Sequence, residues 1–342
     1  MKASLRIVAL FAALLTTAGC GVSSSTPSSD TIPQLTVYTS HKKEVYGPVI
    51  KEFQERTGIW VQVEEAGTNE LLARISGEPA ACDIMFGGGV ESLEAYSDCF
   101  LPYQTSEADA IDRAFRSKEN VWTPFSALPL VFLYNTKLLT AETAPKGWRE
   151  LLQPQWSGKV AYANPNISGS CYTALATAIQ ASPQWEQGET VEAFWSVTND
   201  CLLDSSTAVY TGVSDGSFMV GITLEESAIK QMKAGKDVAY LYPTDGTSAV
   251  PDGTAIVKGC KNLEGAKQFV DFTVSHDVQL LLSTQMSRRS VRSDIAPAEG
   301  LSPVGKIPLI SYDVAWASGR KRAILEQWNS LHGSRGSRGD LP

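Results

Sequence analysis

Histidine is scarce in this chain: there are three in 342 residues, His41, His276 and His332. They stand far apart in the sequence, so neither a histidine-based metal cluster nor a Ser-His triad is recognisable. The phosphate-loop string GxxxxGK[ST] is missing too. Charge is sparse, 19% of residues, with a formal balance of −8 and no Lys/Arg cluster in the body of the chain. A nucleic-acid partner, which calls for a basic surface, is thereby excluded. Nothing in the pattern calls for a cofactor. Long apolar runs are also wanting, since the one candidate, Ile7 to Leu15, is about half the ~20 residues that a spanning helix needs.

What is present begins with that short run. Lys2 and Arg6 precede it and Thr16-Thr17-Ala18-Gly19-Cys20 follows it, the pattern of an export signal. The tetrad Thr17 to Cys20 resembles a bacterial lipobox, with Thr17 in place of the usual leucine. The resemblance implies removal of residues 1–19 and attachment to the membrane through a lipid on Cys20. Residues 20–33, rich in Ser, Thr and Pro, read as a flexible tether, and the polar, glycine-rich segment 334–342 as a flexible tail. Five further cysteines, Cys82, Cys99, Cys171, Cys201 and Cys260, are an odd number for a compartment where disulfides form. Cys82 and Cys99 bracket a strand and its returning helix, and Cys171 and Cys201 bracket a helical stretch. Pairing at either place and plain core thiols both remain open.

The remaining ~300 residues are enough for two cores of ordinary size. Leu35 to Tyr38, Trp60 to Val63 and Asp83 to Phe86 read as strands. Between them lie a helix over 44–56, with Val49, Ile50 and Phe53 on one face, and a second helix capped by Asn69. A similar series restarts at Lys159: strand 160–163, helix from Ser170, strand 201–203, helix from Ser206, strand 218–222, helix from Glu225. Two proline-containing extended runs, 122–135 and 247–257, read as crossings between the units. The expectation is an α/β chain of two lobes, each a mainly parallel sheet flanked by helices. Lobe 1 is discontinuous, 34–128 and 250–333, and lobe 2 is 129–249.

The strings YTSHKKEVYGPVIKEFQERTGIWVQV at 38–63, CDIMFGGGVESLEAY at 82–96, GSFMVGITLEESA at 216–228 and GTAIVKGCKNLEGAKQFVDF at 253–272 resemble the type II periplasmic binding proteins of the ferric-iron, phosphonate and hexose-phosphate group. That resemblance implies a Venus-flytrap protein, monomeric, which captures a small ligand between its lobes and delivers it to an ABC transporter permease. In ferric-binding relatives two adjacent tyrosines follow the strand equivalent to 218–222, where this chain has Glu225 and Glu226. A glutamate following the strand 83–86 is replaced by Gly87, Gly88 and Gly89, and His41 sits one place from its expected position. A tyrosine-type iron site is therefore not expected, and iron stands as the alternative ligand.

The physical expectation is an anion site, because α/β lobes bring the amino ends of their helices, with unpaired N–H groups and a positive dipole end, to one crevice. The candidates are Thr39-Ser40, Gly87-Gly88-Gly89, Ser168-Gly169-Ser170 and Ser205-Ser206-Thr207. Each is either a ligand contact or an ordinary cap or turn. His41 either donates to an anion or lies at the surface. Glu225 either grips the far, polar end of the ligand or is a first-turn helix carboxylate with Glu226 solvated beside it. Asp204, Tyr210 and Asp245 are second candidates for that end. The ligand expected is a phosphonate, organophosphate or sugar phosphate. An acid/base hydrolase and a ligand-sensing lipoprotein are the competing classes, and turnover or its absence separates the first of them.

Overall fold

The computed structural model describes residues 33–198 and 201–333. The signal segment, Cys20 and the tail 334–342 lie outside the described residues, as does all of the tether before Pro33.

The strands are β1 (Gln34–Thr39), β2 (Trp60–Glu65), β3 (Ile84–Gly89), β4 (Phe100–Leu101), β5 (Thr123–Ala127), β6 (Leu130–Asn135), β7 (Val160–Ala163), β8 (Leu202–Leu203), β9 (Val220–Leu224), β10 (Val238–Leu241), β11 (Pro251–Val257) and β12 (Arg289–Ser290). The helices are α1 (Lys43–Thr57), α2 (Thr68–Gly77), α3 (Val90–Glu94), α4 (Trp148–Leu151), α5 (Gly169–Ala181), α6 (Gln187–Thr198), α7 (Ser206–Ser214), α8 (Glu225–Lys233), α9 (Leu263–Thr273), α10 (His276–Met286) and α11 (Val314–Gly333).

Two sheets result. The first has the order β12-β5-β11-β3-β1-β2, with β4 also paired to β11, and the second runs β10-β6-β9-β7-β8. Period-two alternation buries both faces of the first sheet. Leu35, Val37, Ile84, Phe86 and Ile256 point into one core with α1, α9 and α10, while Tyr38, Met85, Ala255 and Val257 point into another with α2 and α3. The second sheet shares one core with α5, α6 and α7, centred on Trp148, Tyr162 and Phe194.

The sheets are mixed rather than mainly parallel. β1 is parallel to β2 and β3, and β7 to β8 and β9. The crossing strands break the pattern: β11 runs antiparallel to β3 and β5, and β6 antiparallel to β9. A strand that enters from the neighbouring sheet arrives from the opposite end, which fixes its direction. The run 122–135 is two strands, β5 in the first sheet and β6 in the second, joined by Leu128-Pro129. The return runs through Ser248 to β11.

Three local expectations need correction. Asn69 does not cap α2, whose N-cap is Gly67; its amide instead donates to the carbonyls of Pro165 (3.3 Å) and Asn166 (2.8 Å) in the other half. The strand expected at 218–222 starts two residues later, so that Leu224 ends it and α8 begins at once. The final helix, allotted to the first lobe, spans both halves: Ala317, Ile324 and Trp328 enter the second core, while the Lys321 ammonium donates to Ser92 Oγ and Asn69 Oδ1 of the first half, both at 2.8 Å. Cys82, Cys99, Cys171 and Cys260 are free thiols, and Cys201 Sγ donates to the carbonyls of Thr198 and Val160.

Candidate functional site

The two halves face each other across a cleft of about 550 Å³, and segments from both sheets line it. From the second half come the amino ends of α5 and α7. Ser168 caps α5, accepting from Cys171 N (3.4 Å), and Ser205 caps α7, accepting from Ala208 N (3.2 Å). Each cap satisfies one first-turn N–H. Ser168, Gly169, Ser170, Ser205, Ser206 and Thr207 all line the cleft, and so do Asp204 at its exposed rim and Tyr210, whose hydroxyl donates to Thr207 Oγ1 (3.3 Å). From the first half come Ser40, His41, Thr68, Gly88 and Gly89.

Four expected contacts lie elsewhere. Thr39 is fully buried, its hydroxyl donating to Phe86 O (2.7 Å) and accepting from His41 N (3.1 Å). It ties β1 to β3. Gly87 is behind the cleft wall, where its φ of +109° and a Cβ position 2.8 Å from Ser40 Oγ leave no room for a side chain. Gly88, at φ +87°, is constrained in the same way by Thr68 Cγ2 at 2.5 Å. These glycines permit close approach of β3 to its neighbours, in addition to baring one rim of the cleft. Asp245 caps α4, accepting from Trp148 N (3.0 Å) and Arg149 N (3.2 Å). Glu225 is 1% exposed and turned away from the cleft, paired through both oxygens with Arg289 (2.7 and 2.8 Å) and accepting from the Tyr242 hydroxyl. One residue along a helix is a rotation of about 100°, and it is Glu226 that lines the cleft.

Sequence reasoning missed the charged wall. Arg288, 4% exposed, donates to Glu226 Oε2 (2.9 Å) and Oε1 (3.0 Å) on one side, and to Asp252 Oδ2 (2.7 Å) and Ser126 Oγ (2.9 Å) on the other. Burial works against its charge, but the Glu226 and Asp252 carboxylates outweigh that and hold its pKa above the usual guanidinium value. His41 lies beside this group, packed on Phe86 and Phe125, with Nε2 3.6 Å from Asp252 Oδ2 and without a hydrogen-bond partner. Burial lowers its pKa to about 4, although Asp252 opposes the shift, so the ring is neutral near pH 7. Lys230 pairs with Glu44 across the cleft, and Lys233 Nζ donates to Ser287 Oγ (2.7 Å). The adjacent pairs Glu225-Glu226 and Arg288-Arg289 were visible as residue types. No local pattern linked segments 60 positions apart.

Two α/β halves, joined by crossing strands and enclosing a polar cleft of small-molecule size, define a ligand-binding clamp. The chain belongs to the bacterial extracellular solute-binding protein family, which matches residues 90–303. It is a solute-binding protein and not an enzyme, and its membership implies a solute ligand, the components of an ABC transporter as partners, and a periplasmic or extracellular place of work. It is similar to the iron uptake protein A1 of Synechocystis sp., 26% identical over 283 residues that cover 77% of this chain and 78% of the relative. The major ferric iron-binding protein of Neisseria meningitidis serogroup B is 23% identical, covering 96% of this chain and 99% of the relative. Among solved structures, the periplasmic binding protein AfuA from Actinobacillus pleuropneumoniae with fructose-6-phosphate bound superposes with a TM-score of 0.79 at 23% identity, covering 86% of this chain and 97% of that one. The fold is that of type II periplasmic binding proteins.

Proposed function

We propose that this chain captures a small phosphorylated organic solute, a phosphonate, organophosphate or sugar phosphate, for delivery to an ABC importer. The observation that carries the reading is the convergence of the α5 and α7 amino ends, with Ser168, Ser170, Ser205, Ser206 and Thr207, on one cleft of about 550 Å³. Neutral N–H and O–H donors at helix amino ends are what a dehydrated phosphoryl group takes up. The volume suits an organic molecule rather than a bare ion. The fructose-6-phosphate held by AfuA is in keeping with this chemistry.

A second reading, ferric iron as cargo, is favoured by the names of the curated relatives in Synechocystis and Neisseria. Against it stand glutamates where the tyrosine pair would be, one buried on Arg289 and the other paired with Arg288. Isothermal titration against a hexose phosphate, an aminoalkyl phosphonate and ferric citrate decides between them. Saturable one-to-one binding of a phosphorylated compound is expected. Tight ferric binding with no response to any phosphorylated compound overturns the anion reading.

Closure belongs to the same proposal: residues 129–249 move against 34–128 and the segment from 250 to the start of α11, with the change concentrated at Leu128-Pro129 and Ser248 to Val250. A lipid on Cys20 would hold the clamp near its permease. Finding the protein unacylated in its native host would remove that last element.

A further inference from the structure

We infer that Arg288 sets the charge specificity of the cleft: its guanidinium occupies the position of a metal cation among Asp252, Glu226 and His41, and so keeps metal ions out of a site otherwise furnished to hold one. The inference rests on the anion reading of the cleft, since a wild-type chain that carries iron would have no such exclusion.

The group has the hard oxygen and nitrogen donors that suit a multivalent cation. Asp252 Oδ2 receives Arg288 Nη1 at 2.7 Å, and both Glu226 oxygens receive the other edge of the fork at 2.9 and 3.0 Å. His41 Nε2, on a ring 5% exposed, stands 3.6 Å from that same Asp252 oxygen and has no hydrogen-bond partner. A buried ring nitrogen without a partner is costly, and here it faces the oxygen that Arg288 already engages. The guanidinium holds the two carboxylates apart, and among the described residues no cluster of three or more His, Cys, Asp or Glu is close enough to bind a metal.

Arg288 also has the properties required of a permanent internal cation. It stays charged at any ordinary pH, and its planar fork satisfies two carboxylates at once. The chain holds it in place with care: Ser287 before it adopts the left-handed conformation at φ 55°, and Lys233 on the opposite half donates to the Ser287 hydroxyl at 2.7 Å. Arg288 offsets one of the two negative charges, so the anion-accepting ends of α5 and α7 meet less repulsion from Asp252 across the cleft and from Glu226 on their own half.

The test compares wild type, Arg288→Gln, Arg288→Lys and Arg288→Gln with His41→Ala, titrated with ferric citrate and with manganese(II) chloride, while wild type alone is titrated with the phosphorylated probes. Arg288→Gln is expected to gain at least tenfold in affinity for one of the two metals, and His41→Ala to take that gain away. Arg288→Lys, which keeps the charge, is expected to stay as metal-blind as wild type. If Arg288→Gln does not fold alone, refolding it in manganese(II) or ferric citrate provides the reading: recovery of a cooperative melt supports the exclusion role, and failure of both metals to restore it overturns that role. A folded Arg288→Gln that binds neither metal better than wild type, or an Arg288→Lys that gains as much as Arg288→Gln, also overturns it. If wild type binds a phosphorylated probe and Arg288→Gln stays metal-blind, this inference fails while the anion reading stands. If wild type binds none of the probes and the variant gains metal, the reverse holds.

Discussion

In a Glu225→Ala variant the Arg289 guanidinium, 3% exposed, would keep only the Ser302 carbonyl at 2.8 Å and a long contact to the Tyr242 hydroxyl at 3.5 Å. Removing one member of a buried, two-point ion pair costs about 3–5 kcal/mol, because the remaining charge stays in the interior without compensation. For a chain of this size each kcal/mol lowers the melting temperature by about 2 °C, so a fall of about 6–10 °C is expected. Ligand affinity should change little, since Glu225 faces away from the cleft. Replacing both members by apolar residues of similar volume, Glu225→Leu with Arg289→Met, should recover most of the loss, as such exchanges are often neutral. Calorimetric melts of wild type, both single variants and the double variant, beside titration with a phosphorylated ligand, provide the measurement. A Glu225→Ala protein that melts within about 2 °C of wild type but binds ligand tenfold more weakly would refute the reasoning and return Glu225 to the ligand.

Gly88→Ala should be more destabilising than Gly58→Ala. Both positions have positive φ, but a Cβ at Gly58 meets open space while one at Gly88 meets Thr68 at 2.5 Å. Overpacking adds about 1–3 kcal/mol to the shared backbone cost, and equal melting temperatures for the two variants would show that β3 has slack. The pH dependence of stability should carry the mark of His41. Its pKa is about 4 in the folded chain against an ordinary 6.5, so the unfolded chain binds more protons between those values. The contribution is complete above pH 6.5 and is lost as pH falls towards 4, at most about 3 kcal/mol. His41→Gln should flatten the melting temperature between pH 6.5 and 4, and an unchanged slope would place the proton uptake on other groups.

The elements that sequence disclosed were those with local causes. Ser168 and Ser205 stand as caps where a small hydroxyl precedes an apolar helix, and both open into the cleft. Strand alternation at Leu35, Val37, Ile84 and Phe86 was likewise written in the chain. What stayed hidden depends on distant partners. Nothing near Glu225 and Glu226 says which of the two turns inward, because that is settled by Arg289 and Arg288 from the other half. Asp252 lies in a run read only as a crossing, and its role follows from Arg288 beside it. The direction of β11 was equally out of reach, since a crossing strand can join a sheet either way until its neighbours are known.

The position of β11 also bears on how the chain reaches this structure. It pairs with β3, β4 and β5 at once, so a chain appearing N-terminus first would hold β3 and β5 as open sheet edges until residue 257 has followed. At synthesis rates of about 5–20 residues per second, the stretch 128–250 delays β11 by roughly 6–25 s. Over that interval all five strands of the second sheet are present and only the cover of α11 is lacking, while the first sheet is the trio β2-β1-β3 with β4 and β5 unpaired. Open edges of that kind are templates for pairing with other chains. The second sheet can therefore close before the sheet that begins the chain, whereas the core beneath it waits for α11, the last element of all.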